Sequence, residues 1–240
     1  MESKKAKKLS IKRLELHQSL PAAFEDRIWS RLSDATLAIF DARPINRSLE
    51  ELYGLVEDVC LHNLADKIYP KLQQLIDRHA YDIVMKMAAW ITLEAAVFLD
   101  HVSHKWQDFC SQLALVRQIF LYLDRTYVHN VLTNRSLYEM GLQLFRARLS
   151  GCPELELKLI DGLLILIDAQ RAGETVDGQL IRSSLQMIIS LTIYAQLFEK
   201  PFLDRAESFF VSEGERLIQV RVLMLLIQHF RFFELPQSEI

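Results

Sequence analysis

The stretch Trp106–Val128, WQDFCSQLALVRQIFLYLDRTYV, constrains the fold more than any other part of the chain. Its large apolar residues are Trp106, Phe109, Leu113, Val116, Phe120, Leu123 and Tyr127, at alternating steps of three and four. That spacing lays one continuous ridge along an α-helix. Cys110, Ala114, Leu121 and Val128 form a second ridge beside it. A helix that is apolar on two sides has to be covered on two sides. The chain must wrap other helices around this segment, or place helices on one side and a partner protein on the other.

The same periodicity recurs along the chain. Residues 24–40 carry Ile28, Leu32, Ala35 and Ile39 on one face, and a loop at 41–47 holds Pro44 and Asn46. Ser48 followed by Glu51 reads as a capping box opening a helix over 49–62, with Leu49, Leu52, Val56 and Val59 on its apolar face and Tyr53 and Cys60 at its edge. A third helix is expected over 65–87, with Pro70 within its first turns. The pattern then runs from Leu93 to Val128; unbroken from Glu94, it would span ~50 Å, with Ser103 the place for a kink. Ser136 and Glu139 form a second capping box before a helix to about Leu149. Gly151, Cys152 and Pro153 break it, and a helix over 153–172 follows, with Pro at its start and Gly173 past its end. Asp177 caps the next helix, and a last helical region, 195–219, is expected to bend or break at Pro201 and Gly214. The break at 150–153 is the best internal boundary.

Composition agrees with an all-α chain. Half of the 240 residues are hydrophobic and a quarter charged, with only 7 Gly and 6 Pro. Such a chain can bury a core and is not of the disordered type. The three cysteines are widely spaced and form no CxxC pair, which reads as buried, reduced thiols in an intracellular protein. The start is charged rather than signal-like, and the longest apolar run, Val222–Ile227, is far short of a membrane span. Residues 1–13 hold six cations and one carboxylate in a chain of formal charge −3, so a basic arm precedes an acidic body. Such an arm suits nuclear import, a nucleic-acid contact, docking on an acidic protein surface, or plain solvation.

No catalytic pattern stands out. The phosphate-binding glycine motifs and the H-E-x-x-H zinc motif are absent. His101 and His104, with Asp108 one turn on, have metal-ligand spacing, but surface or interhelical histidines explain it better. Asp124 and Arg125 read as a structural ion pair ending a helix. The basic arm lacks interleaved aromatics and no helix-turn-helix follows, which disfavours sequence-specific nucleic-acid binding. No metal or cofactor is expected. What remains is recognition through a helical surface.

Several strings carry a resemblance. SLEELYGLVEDVC (48–60), WQDFC (106–110), IFLYLDRTYV (119–128), MGLQLFR (140–146), GETVD (173–177) and FEKPFL (198–203) resemble the N-terminal region of cullins. LYLDRTYV, MGLQLFR and SEGERLIQ (212–219) are similar to the type-4 branch in its plant-like form. The resemblance implies an all-α, elongated stalk: a basic flexible arm (1–20), a five-helix cullin repeat (21–150), a partial second repeat (151–219), and an apolar tail (220–240) that does not match. It implies a non-catalytic scaffold of a cullin–RING ubiquitin ligase, nuclear and cytoplasmic, in ubiquitin-dependent protein catabolism. Its expected partner is a triple-β-propeller DNA-damage-binding adaptor, with no direct contact to nucleic acid or membrane. The resemblance places the docking residues at Leu9 and Ile11 in the arm, Leu49, Leu52, Tyr53 and Val56 in the second helix, and Trp106, Phe109, Cys110 and Leu113 in the Trp106 helix. Trp106 would be the hot spot. The family's C-terminal RING-binding and modifier-accepting domain has no counterpart in these 240 residues, so no RING subunit is expected, and the chain reads as truncated within the second repeat. The alternative is a free-standing helical interaction module, a decoy or a binder of another partner.

Overall fold

The computed structural model describes residues 23–132 and 136–233. Every regular element among them is helical. In order they are α1 (Ala23–Phe40), α2 (Leu49–Leu61), α3 (Ala65–Ala88), α4 (Ala95–Ile119), a single turn α5 (Leu121–Leu123), a π-helical segment (Asp124–Leu132), α6 (Leu137–Ser150), α7 (Pro153–Arg171), α8 (Gly178–Ser190), a short π-helical segment (Tyr194–Phe198) and α9 (Glu199–Phe233). The architecture is an elongated all-α bundle of successive helix pairs.

α4 is the axis of the packing. It touches α1, α2, α3, α6, α7 and α8. Phe98, Leu99, Val102, Trp106, Phe109, Leu113, Val116 and Ile119 are all buried. One contiguous apolar core extends from Ile28 in α1 to Phe198 before α9, so the helix break at Gly151 does not interrupt it. α6 approaches closely: a Cβ added at Gly141 would stand 2.5 Å from Leu113 Cδ2. The missing side chain at Gly141 therefore sets the α4–α6 separation.

Helix ends follow the local chemistry. Ser136 and Glu139 form the reciprocal capping box, with the Glu139 N–H donating to Ser136 Oγ at 3.2 Å and the Ser136 N–H donating to Glu139 Oε2 at 2.9 Å. At α2 the Glu51 N–H donates to Ser48 Oγ at 3.1 Å. α2 stops at Asn63, whose φ of 56° is the left-handed conformation that Asn tolerates better than most residues. Asp177 caps α8 by accepting the Gln179 N–H at 2.8 Å.

Two expectations are corrected. The long helix does not kink at Ser103, whose hydroxyl donates across to Ser183 Oγ of α8 at 2.8 Å, and it stops at Phe120 instead. There the chain turns, and buried Asp124 holds the turn by accepting the Leu137 N–H at 2.6 Å and the Arg117 guanidinium at 2.9 Å. The ion pair expected at Asp124 thus reaches back to Arg117 and ties the helix break to the start of α6. The second correction is α9, which runs unbroken through Gly214. Pro201 falls in its first turn, where a missing N–H has no partner to lose.

His79 closes a half-buried network. Its ring stacks on Phe40 with centroids 4.0 Å apart, and Gln112 lies between the two elements, accepting from His79 Nε2 at 2.8 Å and donating to the Phe40 carbonyl at 3.0 Å. Burial holds its pKa below the ordinary histidine value, more than the Gln112 bond raises it. Between the folded value and the unfolded value of about 6.5, the unfolded chain binds the extra proton, so stability is full above that pH and is lost as pH falls. Urea unfolding should therefore show lower stability at about pH 5 than at about pH 7.5, and His79→Phe, which keeps the stack, should flatten that difference. Equal pH dependence in both proteins would refute the assignment. Gly141→Ala should cost about 1–3 kcal/mol in the same assay, because buried Leu113 must shift.

Candidate partner-binding surface

The ten residues expected to dock a partner fall into three groups. Leu9 and Ile11 lie outside the described residues. Leu52, Val56, Trp106, Phe109 and Leu113 belong to the core, Trp106 being only 6% exposed. Leu49, Tyr53 and Cys110 are reachable, Leu49 being 45% exposed and the other two less so.

The burial of the Trp106 ridge has a simple cause. Phe145 of α6 inserts against it, with ring centroids 5.1 Å from Trp106 and 4.9 Å from Phe109. His79 of α3 covers Phe109 from another side, at 6.0 Å. The second face expected to meet a partner is met by helices of the same chain. A hot spot at Trp106 is corrected accordingly: in this arrangement it is an interior anchor, and the surface of α4 is carried by Ala114, Leu115, Arg117 and Gln118.

The accessible aromatic surface lies elsewhere. α2 packs on α5, and there Tyr53 meets Tyr122 edge to face at 6.2 Å and 87°. Beyond the break at Phe120, Tyr127 meets Tyr69 of α3 at 6.0 Å. All four tyrosines are partly exposed. Tyr122 and Tyr127 line a groove of about 490 Å³ together with Cys60, Leu61, Asn63 and Thr126. Leu49 and Leu61 stand exposed at the two ends of α2. Half-buried tyrosines with free edges on a rigid helical base are the side chains that dominate protein interfaces. The sequence places Tyr127 at the end of the Trp106 ridge and does not mark Tyr122, and neither is expected as a docking residue, because a straight helix past Phe120 would aim them differently. The LYLDRTYV string marked the segment but not its turn.

Burial keeps the thiols and phenols around these helices neutral. Burial raises the Cys60 and Cys110 thiols and the Tyr69 phenol. Tyr138, beside Cys110, is pushed up to about 12, chiefly by burial. All three cysteines are free. Nothing here resembles an activated nucleophile, which requires a lowered thiol pKa. Asp108 pairs with Lys105 at 2.9 Å rather than with the two histidines, and His101 packs edge-on against Trp90 at 5.1 Å. Among the described residues no group of three His, Cys, Asp or Glu side chains is placed to hold a metal. Among them, too, no helix is long and apolar enough to cross a membrane.

The described residues form a helical stack that presents a partly exposed tyrosine patch. The comparisons with known proteins give it a family. Residues 29–232 match the model of the cullin alpha solenoid domain, so the match continues past Gln219, where the recognisable strings end. The chain is 36% identical to human Cullin-4A over 224 residues, covering 93% of this chain and 29% of that relative. It is 36% identical to Dictyostelium discoideum Cullin-4 and 28% identical to Arabidopsis thaliana Cullin-3B, covering 26% and 30% of them. The chain belongs to the cullin family, and the region it represents is the family's non-catalytic N-terminal repeat scaffold. It spans less than a third of the relatives' length. Relatives of the type-4 and type-3 names both match across about nine-tenths of it.

The division into interior and surface aromatics is measurable. Trp106→Ala should lower folding stability by about 3–5 kcal/mol, as truncation of a buried aromatic does. Tyr53→Ala should cost about 1 kcal/mol or less. Equal losses in thermal or urea unfolding would contradict the placement.

Proposed function

We propose that this chain is the adaptor-docking part of a cullin–RING ubiquitin ligase scaffold of the type-4 branch, and that its partner is a triple-β-propeller adaptor of the DNA-damage-binding kind. The observation that carries the reading is the tyrosine surface of Tyr53, Tyr122 and Tyr127, flanked by exposed Leu49 and raised on packed helices. Such a surface is pre-organised, so little side-chain freedom is lost when a partner covers it. The type-4 strings in the sequence favour the propeller adaptor over other adaptor classes. Cys110, half-buried beside Tyr138, is a further contact. Leu52, Val56, Trp106, Phe109 and Leu113 hold the docking helices in place from beneath. The basic arm, through Leu9 and Ile11, adds a second contact and directs the protein to the nucleus as well as the cytoplasm.

Capture of the purified adaptor by the full chain tests the reading. Wild type should bind; Tyr53→Ala with Leu49→Glu should weaken binding at least about tenfold while lowering the melting temperature by no more than about 4 °C. Removal of residues 1–20 should weaken it further. Failure of the wild-type chain to bind the adaptor would overturn the proposal, and capture of an adaptor of a different fold by the same surface would replace it with the rival reading of a helical module serving another partner.

A further inference from the structure

α1 begins beside the tyrosine groove. The ring of Phe24, in the first turn of α1, meets His62 edge to face at 5.4 Å. His62 stands between Leu61 and Asn63, which line the groove with Cys60, Asp66, Tyr122 and Tyr127. Residues 1–22 therefore join the body at the edge of the groove. Leu61, next to His62, is 64% exposed.

The groove and the segment that precedes α1 are complementary in charge and in apolarity. Glu57 stands one turn before Cys60 and Leu61 on α2, Asp58 follows it, and Asp66 lines the groove itself. These three carboxylates form no ion pair among the described residues. Of the cations nearby, Lys67 is bound by Glu25 at 3.0 Å, and Arg125 stands beside Thr126 of the groove. Residues 1–22 carry six cations, Lys4, Lys5, Lys7, Lys8, Lys12 and Arg13, and two carboxylates, Glu2 and Glu15. Leu14, Leu16 and Leu20 follow the last of the cations. From Leu14 to Phe24 is ten residues, up to ~33 Å of extended chain, ample for a groove that starts at the junction. A tether of that length holds the segment at a millimolar effective concentration, so contacts too weak to pair two separate molecules suffice here.

We propose that residues 12–20 cover the tyrosine groove in the free protein, with Leu14 and Leu16 against Cys60, Tyr122 and Tyr127, and with Lys12 and Arg13 on the carboxylates of Glu57, Asp58 and Asp66. The segment is an internal competitor for the surface that the adaptor takes. The covering stands by itself; its use as a gate on docking rests on the adaptor reading. With an intrinsic affinity of about 0.1 mM and a local concentration of about 1 mM, the groove is open about one-tenth of the time. The apparent affinity of a partner for the groove falls by the same factor, about tenfold. Docking releases the arm, whose Leu9 and Ile11 are then free to make the second contact.

The rate of Cys60 alkylation by N-ethylmaleimide in the full chain without adaptor tests the covering, with Cys110 and Cys152 as internal references and each site read by peptide mass. Lys12→Glu with Arg13→Glu, and separately Leu14→Ser with Leu16→Ser, should each speed the reaction at Cys60 at least about fivefold and leave the other two thiols within about twofold. Leu14→Cys should form a 14–60 disulfide within one molecule under mild oxidation, and the bridged chain should bind the adaptor at least about tenfold more weakly than its reduced form. Unchanged Cys60 rates in both arm variants, or equal acceleration at all three cysteines, would overturn the covering. Equal adaptor binding by the bridged and reduced chains would overturn the gate. Failure of the reduced chain to capture the adaptor would strike the adaptor reading and the gate with it, while the alkylation rates decide the covering.

Discussion

The structure depends on the packing of Phe145 against Trp106 and Phe109, the three rings forming a triangle with centroids 5.1, 4.9 and 6.1 Å apart. This contact joins α6 to α4, and Gly141, one turn earlier on α6, lets the two helices approach closely enough for it. With α6 in place, His79 and Phe40 extend the stack toward α3 and α1. The result is a central helix surrounded by its own chain. Aromatic pairs at these separations add to the area they bury, and the interior they build is rigid. Rigidity of the base matters for a scaffold, because a docking surface that must reorder on binding loses affinity to the ordering.

The helices were legible in the sequence because their signals are local. Apolar steps of three and four, Ser136 with Glu139, Asp177, and Pro153 with Gly173 act within a turn or two, and the observed elements follow them closely. The break at Phe120 was not legible, because its cause is not local. Asp124 fixes the turn through Arg117 across the break and through the Leu137 N–H, a contact that exists only after α6 has folded back. Ser103 illustrates the converse. A serine in mid-helix suggests a bend, but its hydroxyl is taken by Ser183 across an interface that periodicity cannot show.

The same distinction governs the candidate site. Spacing identified Leu49, Leu52, Tyr53 and Val56 as one helix and Trp106, Phe109, Cys110 and Leu113 as another, but apolar character does not say what covers an apolar face. The tertiary arrangement gives the inner members to the core and leaves Leu49, Tyr53 and Cys110 reachable. It also adds Tyr122 and Tyr127, which face the surface only because the helix stops and rewinds. A resemblance carried by strings transfers a region more securely than it transfers the orientation of each side chain in it.

Two kinds of apolar surface coexist on this protein, and their chemistry separates their uses. The tyrosines of the α2–α5 region carry hydroxyls that water can satisfy, so the surface tolerates exposure until a partner arrives. The far part of α9 has no such provision. Its side chains from Val220 to Leu226 are aliphatic or methionine apart from Arg221, and all of them are exposed. The cost of leaving them in water grows with area and has no polar compensation. The first surface suits regulated, reversible docking, while the second favours any state in which it is covered. That asymmetry is built into the chain from the point where Arg171 and Arg205 release α9 from the body.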